Sequence, residues 1–234
     1  MVQEVELKVK EVIQRTYNVK SVRLEITGKP DYIAGQFLCV RFKDDLNLKR
    51  YLSLSSSPTE SGYIEFTKKI TQSGFSCRLN NLKLGDTLMV KYPLGKFTLE
   101  GLSGKIAFLS GGIGITPIRS IIKYAIDTQC GLDMILVYSN RSVRDIVFKE
   151  DFDQMQKKCS KLKVSHVLCE AEPDFKCTVG LINAQIVKNE VPDYLMRKFF
   201  LCGPPLMVEA MKKILLEELA VLEVNIITEN FVGY

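Results

Sequence analysis

The chain has 234 residues, of which 46% are hydrophobic, and a formal net charge of +5. This length is enough for one large or two ordinary domains with full cores. Charges of both signs are mixed and there is no long basic run, which argues against nucleic-acid binding. No apolar run approaches a membrane span, and the charged start lacks the apolar core of a signal peptide. We therefore expect a soluble, cytoplasmic protein.

Seven cysteines are scattered along the chain without paired spacing, which is typical of reduced thiols in a reducing compartment. Their spacing fits no common zinc or iron-sulfur pattern, so we expect no metal site on this chain. The single histidine, His166, lies in an alternating apolar run and is expected to be an ordinary strand residue. The cysteines are Cys39, Cys77, Cys130, Cys159, Cys169, Cys177 and Cys202.

Residues 3–99 consist of short alternating runs separated by turn residues. Apolar residues at every second position predict six short strands, which favour an antiparallel β-barrel. One short helix is expected to interrupt the barrel near Ser76, which we assign as its capping residue. The predicted strands are 5–9, 19–26, 37–42, 52–54, 64–66 and 88–90.

The pattern changes after a loop at residues 101–104. Short buried strands alternate with helical segments, which predicts a doubly wound α/β domain with a parallel sheet and helical crossovers. We therefore expect two domains, residues 1–101 and 102–234. The predicted strands are 106–109, 134–138, 164–168 and 198–201, and the predicted helices are 118–129, 148–159 and 206–219.

A glycine-rich turn follows the first strand of the second half. Gly111, Gly112 and Gly114 let the backbone approach a bulky ligand and leave amide N–H groups pointing outward. Pro117 suits the first position of a helix, and a helix N-terminus favours a phosphate. The spacing does not match the G-x-G-x-x-G fingerprint, so a purely structural turn remains the alternative to a nucleotide site.

Ligands of a doubly wound sheet bind beyond the carboxyl ends of its strands. The loops after the four predicted strands should therefore line one crevice. These loops carry the glycine turn, Ser139-Asn140-Arg141, Glu170 and Cys202-Gly203-Pro204-Pro205.

Seven motifs resemble, in the same order, those of the ferredoxin-NADP reductase family of flavoproteins, and the resemblance covers essentially the whole chain. The motifs are Ala34-Gly35-Gln36-Phe37, Arg50-Tyr51-Leu52-Ser53, Ser73-Gly74-Phe75-Ser76, Tyr92-Pro93-Leu94-Gly95-Lys96-Phe97, the run from Gly111 to Pro117, Cys202-Gly203-Pro204-Pro205 and Glu229-Asn230-Phe231. The resemblance implies a flavin-binding barrel followed by a domain that binds a nicotinamide dinucleotide.

The resemblance implies FAD, with FMN as the alternative, on the barrel. Ser53 would hydrogen-bond near flavin N5, and Arg50 would pair with the flavin phosphate. Leu52 stands where the family usually stacks a tyrosine, and an aliphatic side chain gives contact without aromatic stacking. Tyr51 is expected on the opposite strand face. The other implied flavin-binding residues are Gly74, Phe75, Ser76 and Cys77; without the resemblance, an ordinary helix cap and strand residues are the alternative.

The resemblance also implies residues around the nicotinamide. Cys202 would approach nicotinamide C4 and flavin N5, with Gly203 and Pro204 allowing close contact. Glu229 would join Ser53 and Cys202 in a polar network, and Phe231 would cover the flavin until the nicotinamide displaces it. The implied catalytic residues are thus Ser53, Cys202, Glu229 and Phe231. Tyr234 is the alternative cover, and Thr116 and Pro117 would contact the dinucleotide beside Gly111, Gly112 and Gly114. The alternatives are ordinary packing for Cys202 and Phe231, a helix cap for Thr116 and a surface charge for Glu229.

The choice between NADPH and NADH depends on the loop after Tyr138, where the adenosine ribose should lie. Ser139, Arg141 and Arg144 follow, and no acid occupies the first positions. Two arginines suit a 2′-phosphate, which favours NADPH. Asp145 lies close by, so NADH remains the alternative.

The expected reaction is hydride transfer from the nicotinamide to flavin N5, followed by electron transfer to another protein. Ferredoxin, another iron-sulfur protein, flavodoxin and a haem protein are the candidate acceptors. The alternatives are an electron-transfer subunit of a larger complex, a reductase of free flavin or quinone, and a non-catalytic binding module.

Overall fold

The computed structural model describes residues 2–230, which divide into two compact units. One unit comprises the chain up to Glu100 together with Thr116–Thr128, and the other comprises Gly101–Ile115 and the chain from Gln129 onward. Each unit contains its own hydrophobic cluster. No helix within residues 2–230 combines the length and the apolarity needed to cross a bilayer.

An antiparallel six-stranded sheet forms the first unit, as the alternating runs predicted. The strand order is β4-β3-β6-β1-β2-β5, and a bridge between Leu54 and Phe66 links the chain after β4 to β5. The inward positions of the strands supply the core, in which Leu24, Leu38 and Phe66 are fully buried. The strands are β1 Gln3–Thr16, β2 Val19–Glu25, β3 Phe37–Phe42, β4 Asp45–Ser53, β5 Tyr63–Lys69 and β6 Thr87–Leu94; the helices are α1 Gly74–Asn80 and α2 Ile115–Asp127.

Helix α2 is fixed to the barrel from Thr116 onward by a buried polar network. Arg119, which is 5% exposed, donates from Nη1 to Glu60 Oε2 at 2.5 Å and to the Ser55 carbonyl oxygen at 2.9 Å. The Ser120 hydroxyl donates to the Ser56 carbonyl oxygen at 2.5 Å. Burial raises the pKa of Glu60, but hydrogen bonds from Arg119 and its charge outweigh burial, so the pKa lies below its ordinary value. The ion pair therefore remains charged at neutral pH.

The second unit is built on a parallel six-stranded sheet, which confirms the predicted α/β class. Its order is β10-β9-β8-β7-β11-β12, so the chain first builds outward from β7 on one side and then returns to its other side. Such a reversal creates a crevice at the carboxyl ends of the two strands on either side of it, here β7 and β11. The strands are β7 Lys105–Gly111, β8 Asp133–Asn140, β9 Leu162–Leu168, β10 Thr178–Val179, β11 Lys198–Gly203 and β12 Ile226–Asn230.

Three helices of the second unit follow β8, β10 and β11. They are α3 Lys149–Lys158, α4 Ala184–Glu190 and α5 Pro205–Lys213, and α5 continues into a π-helical turn, Ile214–Glu218. Helix α4 and strands β10 and β12 were not predicted. Strand β1 is longer than predicted because backbone pairing with its neighbours continues into polar sequence. Strand β4 is longer because its pairing with β3 includes Lys49, Arg50 and Tyr51, which precede the predicted strand.

Candidate active site

Strand β4 ends at a buried hydroxyl on the barrel. Ser53 pairs with Phe37 of β3 and is 3% exposed. Within residues 2–230 its Oγ meets no hydrogen-bond partner. A buried polar atom left unsatisfied costs about 1–3 kcal/mol, so a ligand atom at this position would relieve that cost. The hydroxyl predicted to approach flavin N5 is thus available for a ligand.

The two residues before Ser53 differ sharply in exposure. Leu52 is 6% exposed and belongs to the barrel core, whereas Tyr51 is 56% exposed. The Tyr51 ring meets the Phe37 ring nearly edge-on, with centroids 6.0 Å apart. The two side chains therefore occupy opposite faces of the strand, and of the two only Tyr51 offers substantial accessible surface to a ligand.

Helix α1 begins one turn earlier than expected, and its cap is Ser73 rather than Ser76. The amide of Ser76 donates to Ser73 Oγ at 3.3 Å, and the amide of Cys77 donates to the Ser73 carbonyl oxygen at 2.9 Å. The Ser76 hydroxyl is fully buried and lies 3.1 Å from the hydroxyls of both Ser73 and Thr71. The resemblance implies that the amides of Ser76 and Cys77 bind the flavin phosphate, but both amides are already engaged within the chain. The more accessible hydroxyls belong to Thr71 and Ser73.

Two cations lie together beside this helix. The Arg50 guanidinium lies 5.6 Å from the Phe75 ring centroid. Lys68, on β5, is only 4% exposed, and burial followed by the nearby charge of Arg50 lowers its pKa. Sequence reasoning missed Lys68. Lys68 alternates with Ile64 and Phe66 and therefore shares the inward face of β5 with them. A lysine at an inward strand position is unusual, and this is the sequence signal that could have identified Lys68 as a candidate site residue. A phosphate would offset the repulsion between these two cations.

In the second unit, the glycine turn and the end of β11 are in direct backbone contact. A Cβ added to Gly114 would lie 2.6 Å from the carbonyl carbon of Cys202 and 2.6 Å from Cα of Gly203. A Cβ on Gly203 would lie 3.3 Å from the Gly111 amide nitrogen. Glycine is therefore required by close packing. Pro204 is exposed and directly precedes α5.

The residues that follow Gly114 are buried at the start of α2. Thr116 is 2% exposed. Pro117 is the third residue of α2 rather than the first, because Gly112–Gly114 form a 3-10 turn and the helix already begins at Ile115. Proline is tolerated there because the first amides of a helix have no intrahelical acceptor. Gly112 is the most accessible of the predicted dinucleotide-binding residues from Gly111 to Pro117.

Cys202 and Glu229 are neighbours at the carboxyl end of the sheet, where they pair in register between β11 and β12. Burial, and then the charge of Glu229, raises the pKa of the Cys202 thiol well above its ordinary value. Burial raises the pKa of Glu229 to about 7. The thiol is therefore protonated at neutral pH, while the carboxyl group gains or loses a proton near neutrality. The structure thus brings together two of the four predicted catalytic residues; Phe231, and with it Tyr234, lies outside the described residues.

The end of β8 and the loop after it combine buried polar side chains with exposed charges. Ser139 is 8% exposed and Asn140 is 6% exposed. In the described part of the chain, the buried Ser110 hydroxyl near the end of β7 has no hydrogen-bond partner. Arg141 Nε donates to Glu170 Oε1 at 3.0 Å, and Arg144 is exposed within a 3-10 turn. Buried polar side chains at adjacent strand ends, one of them without a partner, fit a polar ligand such as a dinucleotide.

Comparisons with known proteins agree with this geometry. The model of the oxidoreductase FAD-binding domain matches residues 4–99, and that of the oxidoreductase NAD-binding domain matches residues 108–213. The glycine betaine monooxygenase reductase subunit of Pseudomonas aeruginosa is 30% identical over 87% of this chain and 58% of its own length. NADH-cytochrome b5 reductase 1 of Dictyostelium discoideum is 29% identical over 87% of this chain and 74% of its own.

Among solved structures, the ferredoxin reductase in carbazole 1,9a-dioxygenase superposes with a TM-score of 0.85 at 26% identity, covering 98% of this chain and 70% of that one. The fold and the matched models thus assign to this chain an oxidoreductase FAD-binding domain followed by an oxidoreductase NAD-binding domain. The chain belongs to the ferredoxin-NADP reductase family of flavoproteins. It spans less than two thirds of the glycine betaine relative.

Proposed function

We propose that this chain transfers electrons from NADH or NADPH through FAD to a separate redox protein. FAD, when bound, would supply the capacity to accept a hydride at N5 and to release electrons singly or in pairs. The observation that carries the proposal is the pairing of Cys202 with Glu229, beside the close contact of Cys202 and Gly203 with Gly114 of the glycine turn. A small, neutral thiol and a tightly packed loop suit the edge of a nicotinamide ring, which must approach closely with water excluded.

The residues of the barrel have distinct roles in this proposal. The unsatisfied hydroxyl of Ser53 would hold the flavin ring near N5. Arg50 and Lys68 would bind the flavin phosphate, because two neighbouring cations are offset by one anion. Leu52 supports the strand from the core, and Tyr51 is the aromatic side chain that remains accessible. These roles require FAD to bind without rearrangement of the barrel core.

The sheet residues position the dinucleotide and hold a proton. The backbone of Gly111, Gly112 and Gly114 would contact the pyrophosphate, and the loop of Cys202 and Gly203 would contact the nicotinamide. Because the pKa of Glu229 is about 7, its carboxyl group can hold a proton below neutrality and release it above. The predicted network with Ser53 remains part of the proposal.

The proposed acceptor is a protein with an iron-sulfur, flavin or haem centre. Support comes from the relative named as the reductase subunit of a monooxygenase, of which this chain spans 58%. The net charge of +5 favours an acidic partner. A subunit of a larger complex is the second candidate, supported by the same relative. We also propose a cytoplasmic location, because all seven cysteines are free.

Anaerobic titration tests the proposal. Protein purified with FAD should be yellow, and its visible flavin absorbance should bleach when NADH or NADPH is added. Ferredoxin, flavodoxin and a b-type cytochrome are then offered in turn, and one of them should restore the absorbance. A colourless protein, or a yellow one indifferent to both nucleotides, would instead indicate a binding module.

A further inference from the structure

Arg141 and Glu170 are held side by side by the backbone beyond the ends of β8 and β9. The parallel register ends with Asn140 opposite Leu168. Beyond it, the Cys169 amide donates to the Asn140 carbonyl oxygen and the Glu170 amide donates to the Arg141 carbonyl oxygen, both at 3.2 Å. The 3.0 Å bond from Arg141 Nε to Glu170 Oε1 completes this arrangement. The two charges are therefore neighbours because the sheet ladder continues past the strands.

This pair lies on the side of the sheet where an adenosine should bind. The glycine turn follows β7, and β8 and β9 are the next strands outward. In dinucleotide-binding sheets the pyrophosphate occupies the glycine turn and the adenosine ribose lies toward the next strand. There an acid binds the 2′-hydroxyl of NAD, or an arginine accommodates the 2′-phosphate of NADP. Arg141 and Glu170 occupy that position together.

We propose that Glu170 makes this site select against a 2′-phosphate and therefore in favour of NADH. The carboxylate engages the guanidinium that a 2′-phosphate would need and repels the phosphate, which carries about −1.5 to −2 charges at neutral pH. Asp145 accepts a hydrogen bond from the Ser142 hydroxyl at 2.7 Å and adds a second negative charge in the same loop. The two arginines that favour NADPH by sequence are thus matched by two carboxylates. This inference rests on the proposed function for the identity of the dinucleotide.

The selectivity should be modest because the pair is open to solvent. The side chain of Arg141 is 75% exposed and that of Glu170 is 53% exposed. Exposed ion pairs are worth up to about 1 kcal/mol, which corresponds to about fivefold in affinity. Arg141 can therefore exchange Glu170 for a phosphate once the carboxylate is neutralised.

Calorimetry with two probes that differ only in the 2′-phosphate tests the inference without any flavin. The probes are AMP and adenosine 2′,5′-bisphosphate, and the variant is Glu170→Gln. We expect the variant to bind the bisphosphate more tightly relative to AMP than the parent protein does, by up to about fivefold. Glu172→Gln removes the same charge from an exposed position in the same loop and should change the ratio less than about twofold.

The combination of Glu170→Gln with Arg141→Met identifies the route of the effect. If Glu170 acts through Arg141, the gain for the bisphosphate disappears in the double variant. An unchanged ratio in Glu170→Gln, or an equal gain in Glu172→Gln, would overturn the inference. Flavin bleaching by NADH and NADPH is measured in parallel. If the relative affinity for the two probes shifts but neither NADH nor NADPH bleaches the flavin, the proposed reductase function would be contradicted while the adenosine site would still stand.

Discussion

Replacing Gly114 with alanine tests the contact between the two nucleotide loops. The new Cβ would lie 2.6 Å from the Cys202 carbonyl carbon and from Gly203 Cα, whereas ordinary contact begins at 3.4 Å. One of the loops must therefore move by about 0.8 Å, since both neighbours are backbone atoms that cannot rotate away. The nicotinamide is proposed to rest on this surface, so the movement displaces the reacting ring.

A misplacement of about 1 Å can cost about 100-fold in rate. We expect Gly114→Ala to lower kcat/KM for the nicotinamide dinucleotide about 100-fold, with a loss of stability of about 1–3 kcal/mol from overpacking. FAD should stay bound, because its proposed site lies on the barrel. Anaerobic stopped-flow bleaching measures the rate, and the absorbance of the purified protein measures bound FAD.

Gly112→Ala is the matched control. No atom lies within 4 Å of a Cβ at Gly112, but its φ of +51° is a conformation that alanine adopts with strain. Alanine there costs about 1–2 kcal/mol locally without touching the end of β11. We expect its bleaching rate to fall less than about tenfold. A rate for Gly114→Ala within threefold of the parent protein, or equal losses in both variants, would refute the reasoning.

Three further predictions concern the barrel and the C-terminal strand. Arg119→Met leaves Glu60 buried without its cation, so it should lower the free energy of unfolding, measured in urea, by about 3–5 kcal/mol. Lys212→Met removes an exposed ion pair and should lower it by less than about 1 kcal/mol. Equal losses in the two variants would contradict a buried pair. The folded state raises the pKa of Glu229 from 4.5 to about 7, so its contribution to stability is complete below pH 4.5 and is lost as pH rises to about 7. Glu229→Gln should reduce this loss of stability with rising pH, measured as the free energy of unfolding in urea at pH values below 4.5 and above 7. An unchanged dependence on pH would argue against burial of the carboxyl group. Leu52→Tyr should overpack the barrel core and lower stability by about 1–3 kcal/mol; tighter FAD binding at an unchanged melting temperature would show that the side chain faces the flavin instead.

The fold class could be predicted because both halves carry strong local periodicity. Alternation at every second residue indicated the barrel strands, and apolar strands alternating with helical segments indicated the parallel sheet. The lengths of β1 and β4 could not be predicted, since their polar ends are held by backbone bonds to neighbouring strands. Short elements such as α4 have too little periodicity to be recognised.

The candidate site was predicted where the signal is local and missed where it depends on distant pairing. The glycine turn and the loop at Cys202 were visible as motifs, but their backbone contact arises only when β7 and β11 become neighbours. The Arg119–Glu60 pair joins residues 59 positions apart. Likewise, Arg141 and Glu170 were both expected at the crevice, but only the sheet register shows that they bind each other.

Hydride transfer from the nicotinamide to bound FAD is the central claim, and an isotope effect tests it most directly. NADH deuterated at C4 on one face, and then on the other, is mixed anaerobically with the FAD-loaded protein in a stopped-flow instrument. We expect deuterium on one face to slow the bleaching of the flavin several-fold and deuterium on the other face to leave the rate unchanged. Bleaching that is absent, or equally fast with both labelled nucleotides and unlabelled NADH, would contradict it.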